Sequence, residues 1–481
     1  IEGENMIKNI IIGMSMVLFA AGFAGCADWV NVTPKDQVES DKLFNSELGY
    51  KSALIGIYAR MTLDETYGKS MTYGSVEFLV QRYDNYGSNI PTEEQRAQRY
   101  DYKKNESAKN MVNGLWVNLF CTIGNINNLL QNLENGGRNI VTTDGYWTLM
   151  KGEALGLRAF HYFDLLRLYG PIYSEDPEMA CLPWRTEFND EAKSLLPASR
   201  IAQNILHDLE EAEELLKDDN LHYQNNLDDV FLGYRKHRMN KMAVKALMAR
   251  VYLWIGDKAN AALKAKEVID GCGFTLAMDN TKDVSLYEET IFGLGRDDME
   301  TKVKNDWAEL TRYANELYIS NDNCDQVFNK QNIGINDIRY KNGYGFIHGE
   351  NGRMCRKYLG REVEYKEKIP LIRLSEMYYI LAESVSLEES VTYINLVRNA
   401  RGISRSNNLV ANDAYDEQAR RDALNEEYQK EFFAEGQWFY FLKRHNYRTF
   451  WRCPSTIPSM TKYYVLPTPD DEIEYGVGAQ E

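Results

Sequence analysis

"ALMARVYLWIGDKANAALKAKEVI", Ala246–Ile269, decides the fold class. Around it, Met242–Trp254 reads "MAVKALMARVYLW", apolar nearly all the way round a helix, so the helix is buried within a bundle. Gly256-Asp257 supplies a turn, and Ala259–Ile269 resumes apolar residues at helical spacing. Ala261 is small, which lets the second helix pack closely on the first.

Ala249, Tyr252, Gly256 and Ala261 fall on the small, aromatic, turn and small positions of a tetratricopeptide repeat. One such hairpin cannot bury its own face, so partner units are expected. "GEALGLRAFHYFDLLRLYG", Gly152–Gly170, and "LIRLSEMYYILAESVSLEESVTYINLVRNARG", Leu371–Gly402, are loose matches to it. Helical spacing also marks Trp116–Glu134, Thr148–Leu168, Ile201–Leu216, Asn240–Ile255, Ile372–Ser386, Val391–Ala400 and Asp422–Arg444. The expected architecture is mainly α, a scaffold of tetratricopeptide-like helical repeats with long irregular loops. Two regions, Thr72–Asn110 and Phe274–Gly349, are polar, aromatic and turn-rich, and loops of that length in a compact protein are more often functional than accidental. No low-complexity linker divides the chain, so one integrated body is expected.

The net charge of −16 over 481 residues argues against nucleic acid, whose affinity rests on Lys and Arg neutralising phosphates. It also argues against docking on an anionic membrane face. The 32 Tyr and 8 Trp suit binding surfaces as well as core. The seven cysteines lie far apart without a C-x-x-C, and the six histidines show no H-E-x-x-H, so metal and redox sites of the usual spacing are missing.

At the front, Lys8 precedes the apolar run Ile10–Gly25, which is shorter than the ~20 residues of a membrane-spanning helix and fits a secretory signal. Met6 reads as the start, with Ile1–Asn5 an upstream remnant. Phe23-Ala24-Gly25-Cys26 resembles a bacterial lipobox, with Phe23 departing from the usual Leu. Residues 1–25 are therefore expected to be removed and Cys26 to be lipidated, holding a soluble body to a bilayer through several acyl chains.

Seven stretches, in order, resemble the SusD/RagB family of Bacteroidetes surface lipoproteins. They are "DWVNVTPKDQVES" after Cys26, "RAFHYFDLLRLYGPI" (Arg158–Ile172), "RMNKMAVKALMARVYLWIGD" (Arg238–Asp257), "IPLIRLSEMYYILAES" (Ile369–Ser384), "INLVRNARGI" (Ile394–Ile403), "NEEYQKEFFAEGQWFYFLKR" (Asn425–Arg444) and "YVLPTPDDEI" (Tyr464–Ile473). The resemblance implies a non-catalytic glycan-binding protein, anchored in the outer membrane and facing outward. It would hand oligosaccharide to a SusC-type TonB-dependent transporter. It further implies an N-terminal part over 26–235, a C-terminal part over 236–481, and ligand loops near 72–110 and 274–349. Tyr428-Gln429 stands where many members carry an Arg pair, and Phe441 where many carry Asp. That departure predicts aromatic packing in place of the family's ion pairs around this helix.

Holding a sugar requires aromatic faces against its C–H surfaces and planar polar groups for its hydroxyls, in a largely pre-formed site. "RYDNYG" offers Arg82, Tyr83, Asp84, Asn85 and Tyr86, and "QRYDYKKN" adds Tyr100 and Tyr102. In the second irregular region Trp307 and Tyr313 are the candidates. The alternative for these loops is a folded segment whose tyrosines form its own small core.

Two other readings remain beside glycan capture: a peptide-binding lipoprotein of the same fold, and a glycosidase using Glu431 and Glu435, spaced i,i+4 on one helix face. Glutamates alternating with Lys430 and Lys443 are more often ion-paired than catalytic. "SNDNCDQVFN", Ser320–Asn329, carries oxygen ligands but lacks the register of a calcium loop, so no cofactor is expected and a structural calcium has no support. Nucleotide-binding and α/β-hydrolase motifs are absent from the sequence.

Overall fold

The computed structural model describes residues 40–84, 97–220, 230–306, 317–341, 343, 345–348, 352–360 and 366–477. Cys26, and the whole lipoprotein reading of the front of the chain, lie outside these residues.

The principal helices, in order, are α1 (Glu47–Met61), α2 (Glu106–Asn132), α3 (Tyr146–Tyr169), α4 (Ala198–Leu215), α5 (Lys241–Trp254), α6 (Lys258–Gly271), α7 (Asn321–Val327), α8 (Leu374–Ser384), α9 (Leu387–Ala400), α10 (Glu417–Glu431) and α11 (Gln437–Arg444). The protein is mainly α and its hairpins stack as the repeat pattern predicts: α3 packs on α4, α4 on α5, α5 on α6, α6 on α8 and α8 on α9. Short side chains set the starts. Asn105, Asn240, Asp257, Ser386 and Asp416 each accept a backbone N–H at the first turn of the helix that follows. Among the described residues no helix is long and apolar enough to cross a membrane.

Helix α3 is the hub, buried along almost its whole length. It carries charges inside because each has a partner: Arg158 donates twice to Asp208 at 2.7 Å, and Glu153 pairs with Arg235 at 2.5 Å and with Arg238 at 2.8 Å. Gly156 permits the close approach of Met239, since a Cβ there would stand 2.6 Å from the Met239 side chain.

Three two-stranded antiparallel sheets complete the body: β1 (Ala180–Pro183) with β2 (Leu195–Pro197), β3 (Thr290–Gly295) with β6 (Lys368–Arg373), and β4 (Phe346–His348) with β5 (Arg353–Cys355). Thr290 lies opposite Arg373, at the point where β6 runs directly into α8.

The stretch expected as one helix over Asp422–Arg444 is instead two. α10 ends at Glu431, and the chain turns through Ala434 at φ 64° and Gly436 at φ 72° before α11 begins. A Cβ at Gly436 would lie 2.6 Å from the Met71 carbonyl oxygen, so both the backbone angle and the packing select glycine. The break takes Glu435 off the helix, and the i,i+4 geometry expected for Glu431 and Glu435 does not form.

The ion pairs expected to give way to aromatic packing are present beside it. Glu431 accepts from Arg373 at 2.5 Å, Arg401 at 2.6 Å and Arg339 at 2.9 Å, while Glu427 meets Arg339 at 3.1 Å and Lys430 at 3.2 Å. Tyr428 packs on Phe441 with ring centroids 4.5 Å apart. The arginines that meet these glutamates arrive from β6 (Arg373), the end of α9 (Arg401) and the segment before β4 (Arg339).

Candidate ligand-binding site

The two irregular regions meet through backbone pairing. The Asp84 N–H donates to the Tyr318 carbonyl at 2.8 Å, and Ile319 and Arg353 exchange both backbone hydrogen bonds at 2.9 and 2.7 Å. Three chain segments distant in sequence are therefore held side by side. Residues 85–96, 307–316 and 349–351 lie outside the described residues, and with them the candidates Asn85, Tyr86, Trp307 and Tyr313.

Asp84 ties this junction together. Its carboxylate accepts from the Ser320 N–H at 2.6 Å, from Asn323 Nδ2 at 2.9 and 3.0 Å, and from Arg452 Nη2 at 2.6 Å. Ser320 and Asn323 open α7, so a carboxylate sits where the first N–H groups of that helix need acceptors. "SNDNCDQVFN" is thus a capped helix; Asp325 is engaged by Tyr340 at 2.6 Å, Arg353 at 2.7 Å and Lys330 at 2.9 Å. Partial burial pushes the Asp325 carboxyl up, but those three partners hold it below its ordinary value. Among the described residues no group of three or more His, Cys, Asp or Glu is placed to hold a metal ion.

On the outer side of the junction lie Trp451 and Arg452, both half-buried. The Arg452 guanidinium stands 5.3 Å from the Trp451 ring, and Trp451 Nε1 reaches Gln326 Oε1 at 3.4 Å. Asn321 and Gln326 are exposed and Asn323 is half-buried. Arg452 adopts φ 68°, and Gln81 and Tyr100, on either side of residues 85–96, adopt φ 54° and 57°. Left-handed backbone at non-glycine residues is costly, and it concentrates where structure is held for a purpose. The Trp451 ring and the exposed Asn321 and Gln326 carboxamides can stack on an apolar ring face and take hydroxyls, while the Arg452 guanidinium is turned inward, with Nη1 buried and Nη2 on Asp84.

The candidates from "RYDNYG" and "QRYDYKKN" that the structure describes are buried, Asp84 within the junction and the others in the core, and their expected ligand-facing role is corrected. Arg82 is fully buried, donates to Glu77 at 2.5 Å and to the Gln429 carbonyl at 3.1 Å, and lies 4.5 Å from the Phe433 ring and 4.7 Å from Trp438. Tyr83 is 1% exposed and donates to the Tyr73 carbonyl at 2.8 Å. Tyr100 donates to the Leu79 carbonyl at 2.8 Å and packs against Tyr463 and Tyr102, both tyrosines of this pair being buried. Asp84 is buried as the tie described above. These side chains support the junction from beneath. Tyr and Arg serve core and sugar alike, and the burial of Arg82 was decided by Glu77 across a turn together with partners remote in sequence, Gln429 and Phe433 from the far end of the chain.

Sequence reasoning passed over "TFWRCPS", Thr449–Ser455, where Trp451 and Arg452 sit. An adjacent Trp and Arg in a proline-containing turn outside any helix was the available signal.

Glu431 and Glu435 cannot serve as a hydrolytic pair. Both are buried and saturated by cations, Glu431 as above and Glu435 by Lys357 and by Arg373 at 2.9 Å. Burial raises the Glu431 carboxyl, yet Arg401, Arg373 and Arg339 together hold it well below the ordinary range, so it offers no proton.

Two family models together match nearly the whole chain: one described as starch-binding associating with outer membrane, over residues 28–253, and the SusD family, over 236–474. A curated relative, SusD-like protein P38 of Formosa agariphila, is 24% identical over 321 residues, covering 65% of this chain. The chain spans 56% of that relative's length. Among solved structures, a SusD superfamily protein of Bacteroides thetaiotaomicron superposes with a TM-score of 0.70 at 21% identity, over 89% of this chain and 98% of that one. A SusD-like carbohydrate binding protein of Bacteroides vulgatus gives 0.68 at 18% identity, over 89% and 96%.

Proposed function

The chain belongs to the SusD/RagB family, and from that premise we propose that it captures oligosaccharides at the outer membrane without cleaving them. The observation that carries this reading is the half-buried Trp451 ring beside the exposed Gln326, next to the junction that pairs Asp84, Tyr318, Ile319 and Arg353. A platform of this kind binds by stacking and hydroxyl recognition, and among the described residues no activated carboxylate pair stands beside it. Lipid attachment through Cys26 would keep the body at the membrane surface, and a SusC-type TonB-dependent transporter would receive the glycan. The likeness to a protein described as carbohydrate binding and the family description as starch-binding support the ligand class.

The test is binding of the mature chain to a panel of oligosaccharides by calorimetry, with reducing ends assayed in parallel. Trp451→Ala should weaken glycan binding by about tenfold or more, the loss expected of one stacked aromatic anchor, and no reducing ends should appear. Unchanged affinity in Trp451→Ala would move the site elsewhere.

A peptide-binding reading rests on a separate observation, an apolar cleft of about 920 Å³ along α1 lined by Leu48, Ile55, Phe231, Tyr234 and Leu294. Binding of peptides, with no glycan bound and with loss in Ile55→Asp, would replace glycan capture.

A further inference from the structure

Behind helix α3 the interior contains four hydrogen-bond donors that find no acceptor among the described residues: Arg167 Nε, Arg250 Nη1, Trp254 Nε1 and Tyr440 Oη. All four residues are at most 5% exposed, and all four line one cavity of about 30 Å³ between α3, α5, α8, α10 and α11. Buried donors without acceptors are costly, on the order of 1–3 kcal/mol each, so four around one space form a site with a chemical demand. The demand is mainly for an acceptor: Arg and Trp nitrogens only donate, and burial near Asp164 keeps the Tyr440 hydroxyl protonated, able to donate as well as accept.

The charge points the same way. Arg167, Arg250 and Arg444 line the cavity, with Glu376 the carboxylate among its walls. Each Glu376 oxygen accepts one hydrogen bond from Arg250. Asp164 and Glu383, which pair with Arg167 and Arg444, do not line it. An open cleft of about 390 Å³ adjoins the cavity and shares Leu253, Trp254 and Arg444 with it, which gives a route from solvent.

We propose that this cavity is a binding site for a small monoatomic anion of halide type. A water molecule accepts two hydrogen bonds and must donate its own two, whereas a halide accepts from every side and donates none. The volume admits one such ion. The ion would cross-link the α3, α5 and α11 side chains and so join the repeat helices to the C-terminal helix. The site lies apart from the Trp451 surface and requires nothing of the glycan reading.

The test uses the mature chain in two measurements. Crystals soaked in sodium bromide are examined for anomalous scattering, and thermal unfolding is followed in sodium chloride and in sodium gluconate at equal ionic strength. The expected results are a bromide peak within hydrogen-bonding distance of Trp254 Nε1 and Tyr440 Oη, and a saturable, chloride-specific rise in Tm. Tyr440→Phe and Trp254→Phe keep the packing and remove one donor each; each should weaken the apparent chloride affinity by about tenfold in the same titration. Ordered waters with no bromide in the cavity would overturn the proposal. So would a chloride response that both variants leave intact.

Discussion

Replacing Arg82 by methionine separates two roles open to an arginine beside a binding loop. If Arg82 served a ligand, its loss would weaken binding and leave the fold untouched. Its surroundings predict the reverse. The guanidinium and its partner Glu77 are both fully buried, 2.5 Å apart, and the other Glu77 oxygen accepts the Gly436 N–H at 2.8 Å. Methionine refills most of the volume between Phe433 and Trp438 but strands the carboxylate, and breaking a buried pair from one side costs about 3–5 kcal/mol. The lost guanidinium–ring contacts add about 1 kcal/mol, partly returned by the thioether against the same rings. Measured by urea unfolding, Arg82→Met should therefore lower the stability by about 3–5 kcal/mol, with glycan affinity unchanged below the transition. Adding Glu77→Gln neutralises the stranded charge while keeping an acceptor for Gly436, and should recover about 2 kcal/mol of the loss. A destabilisation under about 1 kcal/mol, or no recovery in the double variant, would refute the argument. Lost binding at full stability would restore Arg82 to the ligand site.

Acid should unfold the protein in two stages. Burial holds His161 down at about 4 and His237 at about 3, below their ordinary 6.5, so their stabilising contribution is complete above 6.5 and lost as pH falls through those values. Burial raises the Glu427 carboxyl, but Lys430, Arg339 and Arg398 hold it at about 2 against an ordinary 4.5, so its contribution fades between 4.5 and 2; circular dichroism against pH should show stability declining from 6.5 and more steeply below 4.5, and a flat profile to pH 3 would contradict the ion-pair assignment. Glu431→Gln should destabilise by about 3 kcal/mol in urea, because Arg373, Arg401 and Arg339 lose their shared anion; a stable variant that had instead lost a hydrolytic activity would reverse the non-catalytic reading. Gly436→Ala should cost about 1–3 kcal/mol through its φ of 72° and the 2.6 Å approach to Met71, read as a lowered Tm. Cys26→Ser should release the protein from membranes as a soluble species in cell fractionation, and retention would place the anchor elsewhere.

The helical scaffold was legible because its signals are local. Apolar spacing over Ala246–Ile269, the turn at Gly256 and capping residues such as Asn240 and Asp257 act within a few residues of themselves, and α5 and α6 follow from them. The irregular regions could be named as loops for the same reason. What those loops carry depended on partners no local pattern contains. Arg82 became core because Glu77, Gln429 and Phe433 close around it, and Asp84 became a tie because Tyr318, Asn323 and Arg452 converge on it. Likewise Glu431 and Glu435 read as a carboxylate pair until Ala434 and Gly436 turned the chain and arginines from β6 and α9 enclosed them. Periodicity and capping determine which segments are helical. Whether a charged or aromatic side chain ends in the interior or at the surface is settled by which distant groups can satisfy it once desolvated, and only the tertiary structure brought Arg452 onto Asp84 and the Trp451 ring beside Gln326.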